Sequence, residues 1–121
     1  MVVVIENDDS MRRALLRLLA ADGIIANGYG SAEGFLRGEI LNGVTCLILD
    51  MHLDGMDSLA LNIYLRGLGL TIPTIYLTAS EDEKLEERAI QEGAVALFRK
   101  PFQGYELIDA AQRALSARAG S

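Results

Sequence analysis

The chain has 121 residues, enough for one hydrophobic core and too few for two; half are apolar and only two are proline, which excludes disorder except at the ends. The formal net charge of -6, with no Lys/Arg cluster or aromatic platform to offset it, argues against direct binding to nucleic acid. A single cysteine, Cys46, excludes an internal disulfide. The absence of a basic leader, a cleavage site or an apolar run near ~20 residues reads as a cytoplasmic protein away from membranes.

In chain order, Val2-Val3-Val4-Ile5 is a β-branched run of buried-strand type that ends in the polar cluster Glu6-Asn7-Asp8-Asp9-Ser10, rich in helix N-cap residues. From Met11 the period becomes helical, with Leu15, Leu16, Leu18 and Leu19 on one side, Arg12, Arg13 and Arg17 away from it, and Gly23 as the stop. Ile24-Ile25-Ala26 predicts a short second strand with Gly28-Tyr29-Gly30 after it, and Ser31 caps a second helix carrying Phe35 and Leu36 that ends near Gly38 or Gly43. Cys46 to Leu49 reads as a strand buried on both faces; it stops at Asp50, and Gly55 turns the chain. Cys46 itself suits a small core side chain.

Ser58 to Leu68 predicts a third helix with core contacts at Leu59, Ile63 and Leu65 or Leu68, ended by Gly67 and Gly69. Pro73 introduces the strand Thr74-Ile75-Tyr76-Leu77, followed by Thr78-Ala79-Ser80. Ser80 with Glu83 forms a capping box for a charged helix running from Glu81 to about Glu92, stopped by Gly93. Ala94 to Phe98 is a fifth strand, Lys100-Pro101-Phe102 a connector, and Tyr105 to about Arg118 a last amphipathic helix. Five strands each followed by a helix require right-handed crossovers, hence an α/β fold with a parallel sheet covered on both faces. One domain over 1–116 with a frayed tail over 117–121 is the expected organisation.

Ligands bind at the carboxyl edge of such sheets. The strand ends bring there Glu6, Asn7 and Asp8 from the first strand, Asp50 from the third, Thr78 from the fourth and Lys100 from the fifth. Oxygen ligands on two strands suit a hard cation such as Mg²⁺, and a metal, a hydroxyl and an ammonium together neutralise a phosphoryl group placed on Asp50.

At these residues the chain resembles the receiver domains of two-component response regulators, over almost its whole length. The resemblance rests on Val4-Ile5-Glu6-Asn7-Asp8 with Arg12, Leu49-Asp50-Met51-His52-Leu53-Asp54-Gly55-Met56, Thr78-Ala79 and Phe98-Arg99-Lys100-Pro101-Phe102. With Ser31-Ala32-Glu33-Gly34-Phe35-Leu36, it is most like receivers placed before helix-turn-helix output domains. It implies a flavodoxin-like, CheY-like (βα)5 fold, doubly wound, with strand order 2-1-3-4-5. It also implies that Asp50 accepts a phosphoryl group from a sensor histidine kinase or a small phosphodonor. Thr78 and Lys100 would engage that group, and Mg²⁺ would be held by Glu6, Asn7, Asp50 and the backbone carbonyl of His52. Activation would change the face of the fourth helix, fifth strand and fifth helix, where homodimers form and an output, transcription regulation, is controlled. The chain would be no enzyme beyond self-catalysed phosphoryl transfer and dephosphorylation, and its Lys100-Pro101 bond would be cis.

Three departures qualify these expectations. Asn7 stands where a coordinating Asp is usual, which removes one negative charge and predicts weaker Mg²⁺ binding; Asp8 is a substitute only if it faces the same way. Leu97 takes the place of the switch aromatic, with Phe98 one residue late. Asp54 and Ser58 replace a usual Pro and Gly. A phosphorylation-independent pseudo-receiver acting as an interaction module is therefore the alternative. His52 is expected to be exposed, either contributing only its carbonyl or modulating water access and dephosphorylation through its imidazole. Gly28-Tyr29-Gly30-Ser31-Ala32-Glu33-Gly34 is a near miss to a dinucleotide fingerprint, in a chain too short to hold a nicotinamide. An aspartyl phosphatase would want an acid where His52 stands. Arg88, Arg99 and Arg113 with Glu86, Glu92 and Glu106 are candidates to pair across a two-fold axis.

Overall fold

The computed structural model describes residues 1–53, 58–79 and 83–119. Asp54 and Gly55, the Ser80 capping box, the start of the charged helix at Glu81 and the last two residues of the tail lie outside the described residues.

The elements alternate as β1 (Val2–Ile5), α1 (Asp9–Ala21), β2 (Ala26–Tyr29), α2 (Ala32–Gly38), β3 (Cys46–Asp50), α3 (Ser58–Gly67), β4 (Thr74–Thr78), α4 (Glu83–Gln91), β5 (Ala94–Arg99) and α5 (Gly104–Ala119). All four strand pairings are parallel, in the order β2-β1-β3-β4-β5 expected from the resemblance. Alternation along the strands divides the core. Val2, Val4, Cys46, Ile48, Ile75 and Leu77 pack on Leu15 and Leu19 of α1 and Leu107, Ile108, Ala111 and Ala114 of α5. On the opposite face Val3, Ile5, Leu47, Leu49 and Tyr76 meet Phe35 of α2, Leu59, Leu61 and Leu65 of α3, and Ala89 of α4. Every residue of β1, β3 and β4 is buried, as a central strand covered on both sides must be.

Several local expectations need correction. The second strand begins at Ala26, not Ile24, and Ile25 is 77% exposed. Gly28 and Tyr29 therefore belong to the strand instead of a turn after it. A Cβ at Gly28 would stand 2.8 Å from Leu16 Cδ1 and 3.1 Å from Arg12 Cγ, so this glycine lets α1 lie close on the sheet. In α3 Leu59 and Leu65 are buried as expected, but the third core leucine is Leu61, fully buried, whereas Ile63 and Leu68 are each 51% exposed. Polar Asn62 is buried there as well, its side-chain amide reaching Thr74 Oγ1 at 3.2 Å and the Tyr76 hydroxyl at 2.5 Å. The last helix spans Gly104–Ala119, within a residue at each end of the Tyr105 to about Arg118 expected.

The helix ends follow the capping rules. Asp8 accepts from the Met11 amide at 2.8 Å and Ser31 from the Gly34 amide at 3.0 Å, while Gly23 (φ 73°) and Gly93 (φ 89°) take the left-handed conformation beyond α1 and α4. The Lys100-Pro101 bond is cis.

Candidate functional site

Register brings the strand ends level. Ile5 pairs with Leu49, so Glu6 and Asp50 emerge side by side; Asp50 pairs with Leu77 and Thr78 with Arg99, which sets Thr78 and Lys100 at the same edge. Backbone bonds hold the exits of three strands: Glu6 N–H to Tyr29 O at 3.0 Å, Met51 N–H to Leu77 O at 2.8 Å, and Lys100 N–H to Thr78 O at 2.7 Å. Arg12 Nη1 donates to the Glu6 carbonyl at 2.8 Å, and the Ser58 hydroxyl, buried at the start of α3, donates to the Asp50 carbonyl.

The side chains converge on Asp50. Its Oδ1 accepts from the His52 amide at 2.9 Å, and its Oδ2 lies 3.4 Å from Lys100 Nζ. The same ammonium is 3.2 Å from Glu6 Oε1, so Lys100 bridges two carboxylates. His52 Nε2 is 3.2 Å from Thr78 Oγ1. Glu6, Asp50 and Thr78 are nearly closed to water, at 1%, 5% and 1% exposure.

Two carboxyl groups sharing one cation in so dry a place cannot both ionise freely. Burial pushes the Glu6 carboxyl up to about 7, and the hydrogen bond and negative charge of Asp50 push the same way against the pull of Lys100. Burial also works against the Asp50 carboxylate, but hydrogen bonds from Glu6 and the His52 amide together with Lys100 outweigh it and hold Asp50 below its ordinary value. A proton at this pair is therefore held more tightly by Glu6 than by Asp50. Glu6 Oε2 is nonetheless buried without a hydrogen-bond partner, an atom arrangement that a cation between the two carboxylates would satisfy.

Of the residues expected at the site, the structure brings together Glu6, Asp50, His52, Thr78 and Lys100. Asn7 is exposed just past β1. Asp8 turns its carboxylate to the start of α1, where it serves as the helix cap. Among the described residues no group of three or more His, Cys, Asp or Glu is placed to hold a metal ion, so the fit rests on the two carboxyl groups of Glu6 and Asp50. His52 is exposed as expected, yet its ring is engaged, a contact across 26 positions that no spacing announces. Ser58 is the other contributor that sequence reasoning did not assign to the site.

Elsewhere, Cys46 is fully buried and its thiol is pushed up to about 12 by burial, as suits a core side chain. Leu97 packs on the α4 side of the sheet, whereas Phe98 turns to the α5 side and stacks at 6.0 Å on Phe102. Of the charges proposed to pair between copies, Arg99 is bound to Glu86 at 2.5 Å, Glu92 to Arg66 and Arg113 to Asp109 at 2.5 Å, all within one chain.

Comparison with known proteins agrees with this geometry. The family model described as response regulator receiver domain matches residues 2–112. The chain belongs to that family. It is 38% identical over 109 residues to nodulation protein W of Bradyrhizobium diazoefficiens, covering 90% of this chain and 48% of that protein. It is 30% identical over 115 residues to the transcriptional regulatory protein TdiR of Thauera aromatica, covering 95% of this chain and 51% of the relative. The receiver thus spans about half the length of these curated relatives. A solved response regulator receiver protein from Pseudoalteromonas atlantica superposes with a TM-score of 0.88 at 27% identity, over 97% of this chain and 98% of that one. Among the described residues of this receiver, no helix is long and apolar enough to cross a membrane.

Proposed function

We propose that this receiver is a phosphorylation switch in which Asp50 takes a phosphoryl group from the phosphohistidine of a sensor kinase. The observation that carries this reading is the meeting of an ionised, nearly buried Asp50 with Lys100 and with a Glu6 oxygen that has no partner. An Asp50 oxygen attacks phosphorus, the new O–P bond forms as the N–P bond to the kinase imidazole breaks, and the imidazole leaves with the bonding pair. Lys100, already 3.4 Å from Oδ2, stays against the growing negative charge, and Thr78 offers its hydroxyl to a phosphoryl oxygen. Mg²⁺ bound by Glu6, Asn7, Asp50 and the His52 carbonyl would supply further neutralisation of the transferred group. Asn7 brings no charge to that set, so the cation affinity is weaker than a second carboxylate would give.

The phosphoryl group favours whichever arrangement of Thr78 and Lys100 binds it better, and through β4 and β5 that bias reaches α4, β5 and α5. This face carries exposed apolar residues, Ile90, Val95 and Tyr105 at 67%, 52% and 72%, and a groove of about 610 Å³ between β5 and α5. It suits a homodimer or an output module, and the name of TdiR supports transcription regulation as that output. A pseudo-receiver remains the second reading, favoured by Phe98 lying on the face away from α4, which leaves Leu97 on the α4 side.

The test is intact mass after incubation with acetyl phosphate, with and without Mg²⁺, on the wild type and Asp50→Ala. One phosphoryl adduct that requires Mg²⁺ and is absent from the variant supports the switch. A folded wild-type protein that takes no adduct at any Mg²⁺ concentration overturns it in favour of the pseudo-receiver.

A further inference from the structure

Ser58 opens α3, eight positions past Asp50, and its hydroxyl donates to the Asp50 carbonyl in a place closed to water, the residue being 1% exposed. The glycine usual at this position of receiver domains has no such donor. The bond falls where the sheet holds Asp50 on one side only. Pairing of β3 with β1 ends at Leu49, one residue short, whereas pairing with β4 includes Asp50 itself. On the β4 side the Met51 N–H donates to Leu77 O at 2.8 Å. The carbonyl of Asp50 and the N–H of Met51 belong to one planar trans peptide and point opposite ways, so Ser58 and Leu77 grip the same plane from its two ends.

That plane governs the carboxylate. The His52 amide donates to Asp50 Oδ1 at 2.9 Å, which closes an Asx-type ring running through the Asp50–Met51 peptide. Turning the peptide would carry the His52 N–H away from Oδ1 and release the side chain. With the peptide held, Oδ1 is tied down and Oδ2 is left 3.4 Å from Lys100 Nζ. Ser58 thus acts on both oxygens while touching neither.

We propose that Ser58 is a positioning residue for the phosphoacceptor: by donating to the Asp50 carbonyl it locks the Asp50–Met51 peptide, and through the His52 amide it holds the carboxylate with Oδ2 presented beside Lys100. This rests on Asp50 being the phosphoacceptor. A hydroxyl that served only to seat α3 would add stability without changing how fast Asp50 is modified, and experiment separates the two roles.

The test compares the wild type with Ser58→Ala and Ser58→Thr, with acetyl phosphate in saturating Mg²⁺ as the donor and intact mass giving the initial rate of adduct formation. Losing one oriented hydrogen bond should slow Ser58→Ala about fivefold, and Ser58→Thr, which keeps the hydroxyl, should recover most of the rate. In NMR spectra of the free protein, Ser58→Ala should move the Asp50 carbonyl ¹³C resonance and the His52 amide proton upfield, and that amide should exchange faster with solvent. The amide of Leu65, further along α3, should keep its wild-type shift, which shows the helix to be intact.

A wild-type rate in Ser58→Ala, unmoved Asp50 and His52 resonances, or a Ser58→Thr that folds as stably as Ser58→Ala and is no faster would each overturn the proposal. If the added methyl lowers the unfolding midpoint of Ser58→Thr below that of Ser58→Ala, the carbonyl and amide resonances of Ser58→Ala decide alone. A wild-type protein that takes no adduct would overturn the phosphoacceptor reading and this proposal with it. The resonances of the free protein separate that outcome from a failure of the contact alone.

Discussion

Replacing Glu6 by Gln should change how the stability of the metal-free domain depends on pH, and the size of the change follows from the site. Glu6 is held at about 7 in the fold against an ordinary 4.5, so between those values the folded state binds a proton that the unfolded chain has released. The Glu6 contribution to stability is therefore fully present below about pH 4.5 and is lost as the pH rises to about 7, by about 3 kcal/mol when the full displacement is converted. For a domain of this size that is a drop of roughly 10 °C in midpoint. Asp50 works in the opposite direction, but its lowered value places its contribution above the ordinary 3.8, to be lost only in more acidic solution. It leaves the window clear. Glu6→Gln keeps the shape and a donor toward Asp50 but cannot ionise, so its midpoint should be flat across the same range and exceed the wild type near pH 8. Adding Mg²⁺ at tenfold its dissociation constant should return about 1.4 kcal/mol to the wild type at pH 8, and much less to the variant. Thermal unfolding followed by circular dichroism from pH 5 to 8, with EDTA or Mg²⁺, measures all of this. A wild-type midpoint independent of pH, or a slope that persists in Glu6→Gln, would refute the reasoning.

Other substitutions test the remaining assignments. Leu61→Ala should cost 2–5 kcal/mol of unfolding free energy and Ile63→Ala less than about 0.5 kcal/mol, read from urea titrations, because only the first is buried. Asp8→Ala should lower stability by about 1 kcal/mol while leaving Mg²⁺ affinity within about twofold, as fits a helix cap and not a ligand. Asn7→Asp should tighten Mg²⁺ binding roughly tenfold in a calorimetric titration, since a charge a few ångströms from a divalent ion is worth on the order of 1 kcal/mol even in water.

The sheet and its carboxyl edge were legible because buried parallel strands write themselves as short apolar runs, and the residue that ends each run must emerge at one edge. That is why Glu6, Asp50, Thr78 and Lys100 could be placed together from positions alone. The second strand was misplaced for the opposite reason. An edge strand needs no apolar run, and the chain spends Ile24 and Ile25 before the sheet while Gly28 sits within it to admit Leu16 and Arg12. In α3 the periodicity admitted more than one face, and the choice of Leu61 over Ile63 depends on how the helix is set on the sheet. Asp8 reads equally as ligand or cap until the direction of its side chain is known. The bond between His52 and Thr78 is a product of tertiary folding, and no pattern in either segment encodes it.

The most direct test of the account is the identity of the phosphorylated residue. After acetyl phosphate treatment in Mg²⁺, borohydride reduction converts an aspartyl phosphate to homoserine, which peptide mass spectrometry can locate. Homoserine at position 50 alone is the expected result. Homoserine at another carboxylate, or none in a protein that has gained a phosphoryl group, would contradict the claim that Asp50 is the acceptor.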